Sequence, residues 1–115
     1  MNKTFLHLEG FAVLVLSLYF YGNSGLSWLL FFILLFVPDI SMLGYLLNKK
    51  AGAFLYNLFH TYSLSAGAVI CGLLLANPIV LAVGLIWSAH IGMDRMLGYG
   101  LKYPTAFQDT HLNRV

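Results

Sequence analysis

The chain has 115 residues, of which 60% are hydrophobic and 9% charged; an ordinary soluble domain carries about 25% charged residues. This length fits one compact unit over residues 1–115, and a net charge of +2 is too small to draw nucleic acid. The composition excludes a water-soluble core and points to an integral membrane protein with membrane lipid as its surroundings.

A helical span needs about 20 mainly apolar residues, and four segments qualify. The first covers about residues 4–21 and stops at "GNSG". It is longer than the roughly 7–15 residues of a signal-peptide core and contains Glu9, so we read it as a retained helix. The second, about 26–47, carries "FVPDIS" in its later part and stops at "NKK". Pro38 breaks the helical hydrogen bonding there, and Asp39 follows it as either a cap or a buried acid. The third, about 51–75, holds Asn57, His60, Thr61 and the single cysteine, Cys71, which reads as a small buried hydrophobe. "NP" ends it, and the fourth span, about 79–99, runs into "GLKYP" and a polar tail, 101–115. In the tail, Asp109, Thr110 and His111 either fold back or stay solvated, the latter being the simpler expectation.

Such short turns predict an all-α fold of four antiparallel transmembrane helices, up-down-up-down. In that arrangement Lys3, Lys49, Lys50, Arg95, Lys102 and Arg114 fall on one side, and the opposite turns carry no charge. Basic residues favour the cytoplasmic side, so both termini are expected there. Tyr45, Tyr99 and Tyr103 near that face, with Tyr19, Tyr21 and Trp28 near the other, read as aromatic belts. His7 reads as interfacial.

Ionisable residues inside a bilayer are costly and mark functional sites. At about 1.5 Å per residue, Asp39 lies roughly 20 Å down from the outer end, His60 roughly 14 Å up from the inner end, and His90 and Asp94 roughly 16 and 22 Å down. Glu9 sits one to two turns into the first helix. All five therefore fall in the cytoplasmic half of a core about 30 Å thick. His90 and Asp94 are spaced i, i+4 and share a helix face. Asn57, His60 and Thr61 share another. Gly84, Ser88 and Gly92 form a small-residue ladder turned away from His90, suited to close helix packing or to a homo-oligomer interface.

Two imidazoles and two carboxylates at one depth predict a divalent metal, with Zn, Mn or Fe preferred over Ca by ligand type. The expected ligands are Asp39, His60, His90 and Asp94. Glu9 is either a fifth ligand or a catalytic general base. Arg95, about 100° around the helix from Asp94, is expected to reach the headgroups or to bind a substrate phosphate, and Asn57 is a substrate-binding candidate.

The blocks "EGFAVLVLSLYFY", "PDISMLGYL", "NLFHTYSL" and "HIGMDRMLGYGLKYPTAFQDTHL" resemble an uncharacterised bacterial membrane family, domain of unknown function 4260. More distantly, Pro38-Asp39, His60, His90, Asp94, Tyr99-Gly100 and Tyr103-Pro104 resemble, in order, the membrane-bound metal-dependent hydrolases of the YdjM type. The chain departs from that pattern at Ser41, which stands where those proteins have a second acid, and near Tyr56 and Asn57, where they have a basic His-Arg pair. The resemblance implies a hydrolase in the bacterial inner membrane, acting on a lipid or amphiphile from the cytoplasmic side. The alternatives are non-catalytic: a binder or transporter of a metal, proton or small solute, a haem held by His60 and His90, or a structural polar layer. The apolar outer halves of the spans oppose transport, and crowding carboxylates oppose haem.

Overall fold

The computed structural model describes residues 2–102 and 110–114. Among the described residues the chain is helical, apart from turns and one isolated antiparallel bridge between Lys102 and Thr110. Four stretches are long and apolar enough to cross a membrane: Asn2–Gly22, Trp28–Leu46, Lys49–Leu74 and Pro78–Leu97.

Their starts are set by short polar side chains in the turns. Ser27 accepts the Leu29 N–H at 3.1 Å, Asn48 accepts the Ala51 N–H at 2.7 Å, and Asn77 accepts those of Ile79 and Val80 at 3.0 and 3.2 Å. Each bond satisfies an N–H that the first helical turn leaves without a carbonyl. Pro78 follows Asn77 at the one helical position where a missing N–H costs nothing. The fourth span ends at Gly98, whose φ of 99° is left-handed; Gly98 and Tyr99 return their N–H groups to the carbonyls of Arg95 and Asp94.

The first and fourth spans are single helices, α1 (Asn2–Gly22) and α5 (Pro78–Leu97). The other two change character midway. In the second, α2 (Trp28–Leu35) gives way at Pro38 to a 3-10 helix, Val37–Leu46. Three residues per turn align Val37, Ile40, Leu43 and Leu46 in one outward row, 46–82% exposed, while Pro38 and Gly44 are buried in another row. The third span is α3 (Lys49–His60) and α4 (Tyr62–Leu74), separated at Thr61, which is extended (φ −94°, ψ 144°). Thr61 therefore does not continue a helical face with His60, contrary to the unbroken helix expected from the apolar run.

Lipid chains are as apolar as leucine, so burial of apolar area does not drive helices together in a bilayer; close packing does. Here α5 is the axis, more than half buried, and glycines let its neighbours approach. A Cβ on Gly92 would meet the Gly10 carbonyl at 2.7 Å, and one on Gly10 would meet the Gly92 carbonyl at 2.7 Å, so α1 and α5 touch backbone to backbone. Gly84 likewise faces Val69 of α4. Gly84 and Gly92 thus serve close packing within the bundle, the first of the two uses read from the small-residue ladder. Tyr21 is no belt residue: it is fully buried against Trp28 and Phe31 and donates to the Ser27 carbonyl at 2.6 Å. Cys71 is exposed rather than buried.

The tail folds back, against the simpler expectation of a solvated one. Leu112 is fully buried, the His111 N–H donates to the Leu101 carbonyl, and His111 Nδ1 accepts the Leu101 N–H, both at 2.7 Å. Short α6 (His111–Arg114) follows. Tyr103, Pro104 and Asp109 lie outside the described residues. Burial, and then the Arg95 guanidinium, pull the His111 pKa below its ordinary 6.5. A depressed histidine pKa means that protonation favours the detached tail. Its stabilisation is complete above about pH 6.5 and is lost as pH falls below that value. Hydrogen exchange at Leu101, corrected for intrinsic rate, is therefore expected to accelerate from pH 7.5 to 5.5, and His111→Ala is expected to abolish the pH dependence.

Candidate metal centre

Two breaks in the helices and one face of an unbroken helix bring four side chains to one point. Asp39 projects from the 3-10 helix just past Pro38, His60 closes α3 at the Thr61 break, and His90 and Asp94 share one face of α5 a turn apart. Asp39 Oδ1 lies 3.2 Å from His60 Nε2 and 3.1 Å from His90 Nε2. Asp94 Oδ2 lies 3.5 and 3.3 Å from the same two nitrogens, and the nitrogens are 3.1 Å apart. A tetrahedral ion with ligand bonds of about 2.0–2.1 Å holds its donors about 3.3–3.4 Å from one another. The four imidazole–carboxylate separations and the one between the nitrogens lie near that spacing, and all four donor atoms lie within 4.8 Å of one another.

The hydrogen-bond partners bear on the same point. His60 Nδ1 lies 2.8 Å from the Tyr56 carbonyl, which only accepts, so Nδ1 carries a hydrogen and Nε2 is the nitrogen that faces the two carboxylate oxygens. His90 Nδ1 is buried without a hydrogen-bond partner among the described residues. Lone pairs crowded at 3.1–3.5 Å repel unless a cation sits among them. A divalent ion with two carboxylates and two neutral imidazoles has no net charge, which suits a low-dielectric surrounding. The residues present fit a metal.

The surroundings hold the ligands in place. The Tyr56 ring stacks on His60 at 3.8 Å and 6°, and Lys102 Nζ lies 4.4 Å over Tyr56. Asn57 grips the backbone of Lys102 twice, donating to its carbonyl at 2.7 Å and accepting its N–H at 2.6 Å. Burial lowers the Lys102 pKa, and the carboxylates of Asp94 and Asp39 oppose that shift, so its ammonium sits within their field. Where α3 breaks, two carbonyls lose their helical partners. The Trp87 indole N–H donates to Phe59 O at 2.6 Å, and Arg95 Nη2 donates to His60 O at 2.9 Å. His60 and His90 are wholly buried, and the Asp94 side chain is 11% exposed. Asp39, at 31%, is the open edge of the group.

Residues 3–115 match a family described as a domain of unknown function, DUF4260. The chain belongs to that family. No curated protein and no solved structure matches it.

The DUF4260 chain thus brings together four of the expected site residues, Asp39, His60, His90 and Asp94, and leaves others apart. Glu9 is exposed on α1 and is not part of the donor group, which corrects its placement in the layer. Arg95 does not reach for headgroups: it is buried, and its guanidinium spans the carbonyls of His60 and Tyr99. Asn57 faces the Lys102 backbone. Haem is excluded geometrically, because two Nε2 atoms 3.1 Å apart leave no room for a porphyrin plane between them. Sequence reading passed over Tyr56, Trp87 and Lys102. Tyr56 precedes His60 by one helical turn, which was a usable signal; the other two depend on the break at Thr61 and the path after Gly98. His7 was also missed: it bonds the Met96 carbonyl at 2.8 Å and so ties α1 to the last turn of α5.

Proposed function

We propose that this DUF4260 chain is a metal-dependent hydrolase embedded in the bacterial inner membrane, cleaving a lipid or other amphiphile. The observation that carries the reading is the convergence of Asp39, His60, His90 and Asp94, whose donor atoms all lie within 4.8 Å of one another. In the proposed topology the spans alternate in direction, and the termini and the Lys49–Lys50 turn face the cytoplasm, as the basic residues favour. His60, His90 and Asp94 are the anchoring ligands. A divalent ion there supplies Lewis acidity and makes water acidic enough to act as a nucleophile. Asp39 is the ligand at the open edge, and its carboxylate is the group placed to take the proton from attacking water and return it to the leaving group. The resemblance to YdjM-type hydrolases read from the sequence implies the same reaction class.

One observation favours a second reading. The group offers four protein donors, as many as a structural zinc ion takes with no position left open. Asp39→Ala separates the two. For a hydrolase, the three buried ligands retain an ion while turnover of ester and phosphoester lipids is lost. For a structural site, the wild type binds metal without any turnover, and Asp39→Ala lowers thermal stability. A wild type purified gently in detergent with no divalent metal rejects both.

A further inference from the structure

Beside the donor group, between the second span and α5, lies a hollow of about 190 Å³ walled by Leu34, Val37, Pro38, Phe59, Val83 and Trp87 among its lining residues. An apolar cavity of about 150 Å³ accommodates benzene, so this one holds several methylenes. Its wall adjoins the ligands: Pro38 precedes Asp39, Phe59 precedes His60, and Trp87 stands three residues before His90. Among the described residues no charged side chain lines it, and the indole N–H of Trp87 is already bonded to the Phe59 carbonyl. The Trp87 and Phe59 rings stack at 5.9 Å and 28°, which makes one wall flat and firm.

The hollow also has a direction. From His90 to Val83 is about 10 Å along α5, away from the Gly98 end and past the middle of the span. From Asp39 to Leu34 the second span likewise leads away from its Lys49–Lys50 end. In the leaflet on that side, a chain runs from its headgroup toward the midplane, the same way. The geometry points to an acyl-chain subsite: the hollow takes one chain of an amphiphile and presents the linkage at its head to Asp39. The identity of that linkage rests on the hydrolase reading, but chain binding does not require turnover.

The test uses the full chain in detergent. The two tryptophans are Trp28 and Trp87, so Trp28→Phe leaves Trp87 as the reporter. In that background, 9,10-dibromostearic acid is expected to quench Trp87 saturably. Val83→Phe fills the hollow and is expected to shift half-quenching to about tenfold higher mole fraction, since a packed site resists added volume. Val83→Ala, which adds no bulk, is expected to keep saturable quenching. Quenching that rises in proportion to mole fraction in both the parent and Val83→Ala overturns the subsite. Saturable quenching in a protein that hydrolyses nothing upholds the subsite and removes the hydrolase. Turnover with proportional quenching does the reverse.

Discussion

His90→Ala is expected to lose the divalent ion proposed to sit among the four donors. The wild type is expected to carry about one ion per chain, since one set of four donors converges among the described residues, and the variant close to none. Loss of an outer hydrogen-bond partner costs about 10–100-fold in metal affinity, and loss of a direct ligand is expected to exceed that range. The effect on stability separates a metal site from a polar layer that merely fixes helix register. An ion present at about 1,000 times its dissociation constant stabilises the folded state by about 4 kcal/mol. Chelation is therefore expected to lower the melting temperature of the wild type strongly and that of His90→Ala hardly at all. In a register layer, the variant would melt lower while chelation changed neither protein. Metal analysis by mass spectrometry, paired with melting curves with and without chelator, reads both quantities on one preparation. His60→Ala is expected to behave alike, because Nε2 of each ring touches both carboxylates.

The centre was legible because polar residues are scarce in this chain. With so few charges, Asp39, His60, His90 and Asp94 stand out, and a fixed rise per residue converts position into depth. Depth says nothing of azimuth, and there Glu9 misled. Its neighbour Gly10 held the corrective signal: Gly10, Ser17 and Tyr21 are the buried residues of α1, spaced seven and four apart on one face, and Glu9 is one residue off it. The 3-10 helix was legible in part. Val37, Ile40, Leu43 and Leu46 recur every third residue, which an α-helix does not keep on one side for long. The break at Thr61 was not legible, because hydropathy reports how apolar a stretch is and not whether its backbone bonds run unbroken. The carbonyls it frees are satisfied by Trp87 and Arg95, residues distant in sequence. Such pairings are tolerated at membrane depth only where the irregular backbone is buried in protein, a condition set by the assembled bundle.

Arg95→Met is expected to lower stability and to weaken metal binding at a distance from the ion. The guanidinium donates to His60 O at 2.9 Å and Tyr99 O at 3.0 Å, and bonds from a charged donor are each worth about 1.5–3 kcal/mol. Removing both is expected to destabilise by about 3 kcal/mol or more, with the His60 carbonyl left unsatisfied at the break. His60 is the last residue of α3, so loosening this joint moves a ligand without deleting one. Metal stoichiometry is expected to stay near one per chain while affinity falls about 10–100-fold, the range for partners that orient ligands. Arg95→Lys should recover only part, since a point-like ammonium does not reproduce a planar fork with donors on two nitrogens. A substrate phosphate held by Arg95 gives a different signature: a higher KM with melting temperature and metal affinity unchanged. The bonds of Arg95 to two backbone carbonyls favour the first outcome. They place this arginine at the joint that lets α3 stop at His60 and α4 resume after the single residue Thr61, so the break that aims His60 at the donor group depends on a side chain next to another proposed ligand, Asp94.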